Sequence, residues 1–302
     1  MTKHIAFVGQ MHYFKCTIPR SLPGYKIHEV NVNFEPSDPS RFFPCLELED
    51  KQHIDVWIFF RGEFAPEQVL EQLSGTKVWI STEPLGREDI RKMFCGGSRF
   101  FFTEHRKFFD YMTHYDPTEI EEIRANGFKV DSTFSLPIDT DTYKPNPRVK
   151  KKWDLVFMGR SCNRRAGLTG SLKKDFEFLS IDNGVYGAEA VRLYQMSRIG
   201  VNLRVGDFPQ FQHRVMTMMA CGLPILSDEL SNTGWISEDN AKYFNFIKNN
   251  DGRKMYNEFL AMIDNTYIPL RKKGEVMRKL AVRHFDARTN WLKLLNQMEM
   301  KQ

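Results

Sequence analysis

No apolar run in this chain is long enough to cross a bilayer. The strongest, VWIFF at 56–60, has the length of one strand, whereas a membrane helix needs about 18 or more such residues. The opening MTKHIAFVGQMHYF has no cleavable signal pattern, because its apolar stretch is short and polar residues follow at once. A cytoplasmic protein is the expectation. The five cysteines (Cys16, Cys45, Cys95, Cys162 and Cys221) are odd in number, scattered and never spaced C-x-x-C. That usage speaks against a disulfide framework and a zinc site, and leaves reduced thiols as the simpler reading. No G-x-x-x-x-G-K-[ST] loop is present and no G-x-G-x-x-G follows a strand, so the common nucleotide cradles are missing. Internal repeats and low-complexity segments are absent too, which sets solenoids and propellers aside.

What is there is an ordinary soluble composition over 302 residues, 41% hydrophobic and 27% charged. That length implies two compact units. Charge divides them unevenly: residues 1–147 hold 17 Lys+Arg against 22 Asp+Glu, and residues 148–302 hold 26 against 16. A basic second half fits an anionic ligand held there, and equally fits a solvated basic surface.

Short apolar runs alternate with amphipathic stretches. Strands are expected at 4–9, 25–34, 54–60, 76–81, 99–103 and 128–137, with helices at 65–74 and 104–113 between them. A proline-rich, basic segment, PIDTDTYKPNPRVKKKW at 137–153, then marks a junction near 147. The alternation restarts after it, with strands near 154–159, 176–181, 198–205, 223–228 and 241–246 and helices between and after them. The fold class is therefore α/β, with two Rossmann-like doubly wound domains, 1–147 and 148–302, facing across a cleft. The last helix is a candidate to pack back on the first domain. In open parallel sheets ligands sit beyond the carboxyl ends of strands, which draws attention to Gly9 at the end of HIAFVG and to the acids Glu63, Glu83 and Glu104 in the loops RGEF, STEPL and TEHR.

Two segments of the second half look built for an anion. After DLVFMG come Arg160, Arg164 and Arg165, whose planar guanidinium forks suit phosphate oxygens. In FQHRVMTMMACGLPILSD, Val215, Met218 and Met219 recur at helical spacing, Gly222 ends the helix and Pro224 forbids its continuation. Gln212, His213 and Arg214 then fall in its first turn, where unpaired N–H groups and the positive end of the dipole attract anions.

These stretches carry a resemblance. SLPIDTDTYKP (135–145), WDLVFMGRSCNRR (153–165), VYGAEAVRLYQMSRIGVNLRVG (185–206) and HRVMTMMACGLPILSD (213–228) are similar, in order, to motifs of GT-B nucleotide-sugar glycosyltransferases of the group 1 type. The nearest branch is CgeB-like, whose members carry a phrase close to R-V-F-E-A-M-A-C-G-x-P-L-L-T-D. The resemblance implies that Gly159 and Arg160 meet the donor diphosphate, that Arg214 opens the donor-binding phrase, and that Asn202 lies on the strand leading into the donor loop. One position departs: the phrase's Glu, which holds the ribose hydroxyls in the family, is Thr217 here, and a hydroxyl cannot bind two ribose hydroxyls as a carboxylate can.

The implied activity is transfer of a sugar from a nucleoside-diphosphate sugar, with a UDP-sugar as the expected donor, to a hydroxyl acceptor. Cationic groups on the leaving diphosphate make it metal-independent, with no cofactor beyond the nucleotide sugar. Arg160 is assigned to the leaving group, and Glu83, then Glu63, to the acceptor proton. The pair Asp139 and Asp141 reads as a Pro-flanked turn, not a metal site. Two acceptors stay open, a surface or coat glycan and a hydroxymethylated pyrimidine in DNA. The competing reading is a non-catalytic nucleotide-binding interaction protein on the same scaffold, favoured by Thr217.

Overall fold

We analysed a computed structural model, which describes residues 2–33, 39–49, 51–82, 105–182, 184–204, 213–231, 233–247, 252–264 and 268–300. The expected strand at 99–103 and the acids Glu83 and Glu104 lie outside these residues, as do Gln212 and Cys95.

The chain forms two compact units, one of Met1–Leu136 with Arg288–Gln302 and one of Pro137–Ala287. The division falls ahead of the expected 147, and the chain re-enters the first unit at its end.

Among the described residues the first unit is built on a six-stranded parallel sheet, ordered β2-β1-β3-β4-β5-β6. Its strands are β1 (Lys3–Gly9), β2 (Tyr25–Asn31), β3 (Val56–Phe60), β4 (Thr76–Ser81), β5 (Tyr111–His114) and β6 (Ser132–Thr133). All five residues of β3 are buried, which is why VWIFF is continuously apolar: a central parallel strand is covered on both faces. Strand β5 corrects the helix expected over 104–113. That segment holds a short 3₁₀ turn (Arg106–Phe108) and then YMTH, buried at every position. Periodicity does not separate a short, fully buried strand from a buried helix.

Carboxylates set the amino ends of neighbouring strands. Asp55 accepts from His4 N at 2.7 Å, Asp110 from Lys77 N at 2.7 Å, and Asp131 from Met112 N at 2.9 Å. Each satisfies a main-chain donor that the ladder leaves over. Asp131 also pairs with Arg106 Nη2 at 2.6 Å.

The second unit holds a five-stranded parallel sheet, again counted on the described residues, ordered β11-β10-β9-β7-β8. These are β7 (Trp153–Met158), β8 (Phe178–Ile181), β9 (Ser197–Asn202), β10 (Ile225–Asp228) and β11 (Asn245–Ile247). The helices that matter for the site are α1 (Asn163–Thr169), α2 (Gly187–Gln195), α3 (His213–Ala220) and α4 (Leu270–Phe285). Helix α3 stops at Gly222 (φ 72°), and α4 comes so close there that a Cβ on Gly274 would lie 2.2 Å from the Gly222 carbonyl oxygen. Several of the cations in this half are structural. Arg278 donates to the carbonyls of Ala220, Tyr143 and Thr140 at 2.7–3.0 Å, and Lys151 to those of Gln195 and Ser197 at 2.7–2.8 Å. Both sit at the negative ends of helices, α3 and α2 respectively.

The last helix, α5 (Ala287–Glu299), belongs almost wholly to the first unit. Its Trp291 is completely buried, meets Phe7 edge-on at 4.9 Å and Phe134 at 4.6 Å, and donates its indole N–H to Thr17 O at 2.7 Å. Replacing a buried Trp with Ala costs about 3–5 kcal/mol in transfer and cavity energy. Trp291→Ala is therefore expected to lower the urea midpoint of the full chain markedly, and a midpoint equal to the wild type's would show that this helix is not integral to the core.

Candidate functional site

In the second unit the strand order reverses direction at β7: β8 lies on one side of it and β9 on the other. The crevice beyond the carboxyl ends of β7 and β9 is the topological switch point, where open α/β sheets hold ligands. Most of the described residues singled out from the second half gather there.

Gly159 follows β7 directly. A Cβ at that position would fall 2.4 Å from Arg214 Nη1, so the glycine leaves room for the guanidinium of α3. Arg214 donates to Met158 O at 3.1 Å and its Cζ stands 5.0 Å from the centre of the Phe157 ring. Arg165, on α1, places its Cζ 5.1 Å from the same ring. Its Nε donates to Leu203 O at 2.9 Å, spanning from the β7 side of the crevice to the β9 side, and its Nη1 donates to Arg160 O. Arg165 is only 3% exposed, and its Nη2 is buried without a hydrogen-bond partner. Burial, followed by the neighbouring charge of Arg214, pushes its pKa down to about 10. Two guanidinium groups thus share one aromatic ring at the switch point. Cation–π contacts hold them in place, and two neighbouring guanidinium groups favour an anion beside them.

The other arginines of the loop differ in role. Arg160 is exposed. Arg164 forms a two-pronged pair with Asp228 at the end of β10, both contacts at 2.9 Å, and also donates to Arg204 O. Asp228 is 1% exposed and accepts the Arg204 N–H at 2.8 Å as well. Arg164 thereby braces the crevice, which differs from the phosphate contact its sequence position implies.

His213 Nε2 lies 3.0 Å from Pro137 O, a geometry in which the ring nitrogen donates. Burial lowers its pKa, against the opposing effect of that carbonyl. The imidazole is therefore neutral at pH 7 and adds no positive charge to the helix start. Asn202, 1% exposed, donates to Ser227 Oγ at 2.9 Å and leaves its Oδ1 without a partner. Thr217 is 7% exposed and turns its hydroxyl onto Arg214 O at 2.8 Å.

With this geometry in hand, the comparisons are specific about architecture. No protein-family model and no curated protein sequence matches the chain. Solved structures do. HepE of Anabaena, in complex with UDP-glucose, superposes with a TM-score of 0.62 at 10% identity over 98% of this chain and 99% of its own. A sucrose-phosphate synthase of Thermosynechococcus elongatus gives 0.64 at 9% identity over 99% and 100%. TarM gives 0.60 at 12% identity over 84% of this chain, which spans 56% of TarM. The fold is GT-B.

A shared fold does not by itself name a ligand. Glu63 and Gly9 lie in the first unit, and Asp139 and Asp141 near the start of the second. Glu63 is 2% exposed, with one oxygen on Arg61 Nε and the other on Trp79 Nε1, both at 3.0 Å. Its carboxylate ties the loop after β3 to β4, an arrangement that leaves neither oxygen open to an acceptor. Gly9, at the end of β1, is closed in by Phe60 and Phe14, since a Cβ there would lie 3.1 Å and 3.3 Å from them. Asp139 accepts from Asp141 N at 3.2 Å and from Thr142 Oγ1, so the acids at 139–141 form a turn. Among the described residues no cluster of three His, Cys, Asp or Glu is placed to hold a metal, and no helix is long and apolar enough to cross a membrane.

Asp228 was the residue that sequence reading passed over. It closes the phrase LPILSD, and the signal available was an acid directly after a buried strand, facing a loop rich in arginine. Asp228→Asn keeps its shape while removing the charge that balances Arg164. Breaking a buried pair in this way costs about 3–5 kcal/mol. Thermal denaturation should show a large loss that the double variant Asp228→Asn with Arg164→Met partly recovers; an unaltered single variant would rule out the brace.

Proposed function

We propose that this chain is a glycosyltransferase that takes a sugar from a nucleoside-diphosphate sugar, with UDP-sugar the favoured donor, and passes it to a hydroxyl acceptor without a metal. The observation that carries this reading is the pair Arg165 and Arg214, held on Phe157 beside Gly159 at the switch point of a GT-B fold. HepE, which shares the fold, has been solved with UDP-glucose, and that complex supports a uridine diphosphate donor.

The reaction forms a C–O bond between the acceptor oxygen and the anomeric carbon and breaks the bond from that carbon to the diphosphate oxygen. The electron pair leaves with the diphosphate, whose growing charge Arg165, Arg214 and the exposed Arg160 would stabilise. Preorganised donors of this kind act most strongly in a site shielded from water. Inversion at carbon needs a base for the acceptor proton. Glu83 keeps that assignment, because both oxygens of Glu63 are engaged within its own unit. The acceptor is proposed as a surface or coat glycan or a hydroxymethylated pyrimidine in DNA, and a DNA acceptor would bind with a steep salt slope in gel-shift titrations. A cytoplasmic setting is proposed with it.

One observation favours a second reading. The Thr217 hydroxyl is occupied by the helix backbone and does not replace a ribose-binding carboxylate, as expected if the scaffold binds a nucleotide without turning it over. A panel of nucleotide sugars, assayed for nucleoside-diphosphate release with glycan and DNA acceptors, separates the two. The proposal expects release with at least one donor. Arg214→Ala should weaken UDP binding about tenfold or more, the scale of one lost charge-assisted bond. Thermal stabilisation by UDP without turnover of any donor would favour the second reading, and UDP affinity unchanged by Arg214→Ala would sink the placement of the diphosphate.

A further inference from the structure

Resting on that donor-site reading, we infer that Arg204, a residue given no role in the sequence analysis, is a further donor-binding residue that reaches the diphosphate from the β9 side of the crevice. Its main chain is clamped at both ends: its N–H donates to Asp228 Oδ2 at 2.8 Å and its carbonyl accepts from Arg164 Nη1 at 2.9 Å. Its side chain is treated in the opposite way. Nε and Nη1 are both buried, and neither has a hydrogen-bond partner. Buried donors are almost always satisfied in folded proteins. A partly buried guanidinium with two buried, idle N–H groups, on a backbone fixed by a dedicated salt bridge, is the signature of a group whose partner is a ligand.

Strand geometry places it. Val201 and Leu203 lie in the core cluster on one face of β9. On the other face Gly200 is pressed against Met218 of α3, where a Cβ would meet the sulfur at 2.4 Å. Alternation puts Asn202, the last residue of β9, on this α3 face. Arg204 follows two residues past the strand's carboxyl end, at the rim of the crevice into which the first turn of α3 also faces. Asn202, two residues before it, also carries an unmet polar atom, Oδ1. No carboxylate in this group remains to balance Arg204, because Asp228 already holds Arg164.

The test compares wild type, Arg204→Met and Arg204→Lys as full chains, titrated with UDP and with UMP by calorimetry and melted without ligand. Loss of one charge-assisted contact should weaken UDP about tenfold or more in Arg204→Met, while UMP changes by less than about threefold because its single phosphate lacks the outer group. Arg204→Lys should recover part of the UDP affinity. The ligand-free melting point of Arg204→Met should rise by about 2–4 °C, since an unpaired buried cation has been replaced by apolar volume. A purely structural arginine would do the reverse, lowering the melting point and leaving UDP affinity alone, and that result overturns the inference. Wild-type binding of UDP with unchanged binding by Arg204→Met overturns it as well. If wild type binds neither UDP nor inorganic pyrophosphate, the glycosyl-transfer reading itself fails and this inference goes with it.

Discussion

The buried carboxylate of Asp228 is the constraint around which the second unit's crevice is arranged. Two of its contacts go to Arg164 on α1 and a third to the main chain of Arg204 after β9, while Asp228 itself ends β10. Three separate segments are thereby drawn to one point. Such a pair is expensive to desolvate and earns its place through geometry more than through net stability. With Arg164 held by Asp228, the unmet guanidinium N–H groups near the crevice among the described residues belong to Arg165 and Arg204.

The same economy of backbone satisfaction runs through the rest of the molecule. Asp55, Asp110 and Asp131 accept leftover strand N–H groups in the first unit, and Asp154 accepts Glu177 N at 3.2 Å in the second. Lys151 and Arg278 answer leftover carbonyls at helix ends. Much of the basic surplus of residues 148–302 is therefore structural, and the overall charge of that half is a poor measure of its ligand-binding capacity. What separates a structural cation from a binding one here is whether its N–H groups are all met.

Some of the site was legible in advance. Gly159, Arg165 and Arg214 were singled out from a strand-loop-helix pattern and a helix start, and the structure brings them together on Phe157. Arg164 was read with them because a guanidinium next to another in a loop looks the same whether it faces a ligand or a carboxylate some sixty residues away. Glu63 looked like a free acid after a strand, but its partners are Arg61 in its own loop and Trp79 on the next strand. His213 was read as part of an anion-binding first turn, but its ring nitrogen is turned onto Pro137 O. Strand β5 was hidden because complete burial erases periodicity.

The sequence by itself determined the two parallel sheets, most of their strands, and the glycine and arginine pattern that points to an anion, because these depend on local propensity, periodicity and turn chemistry. Only the tertiary structure decided which arginines are consumed by Asp228 and by carbonyls, which remain unmet, and that α5 closes the first unit through Trp291. Those outcomes depend on contacts between residues distant in the chain, and burial, not residue type, settles whether a charge is available.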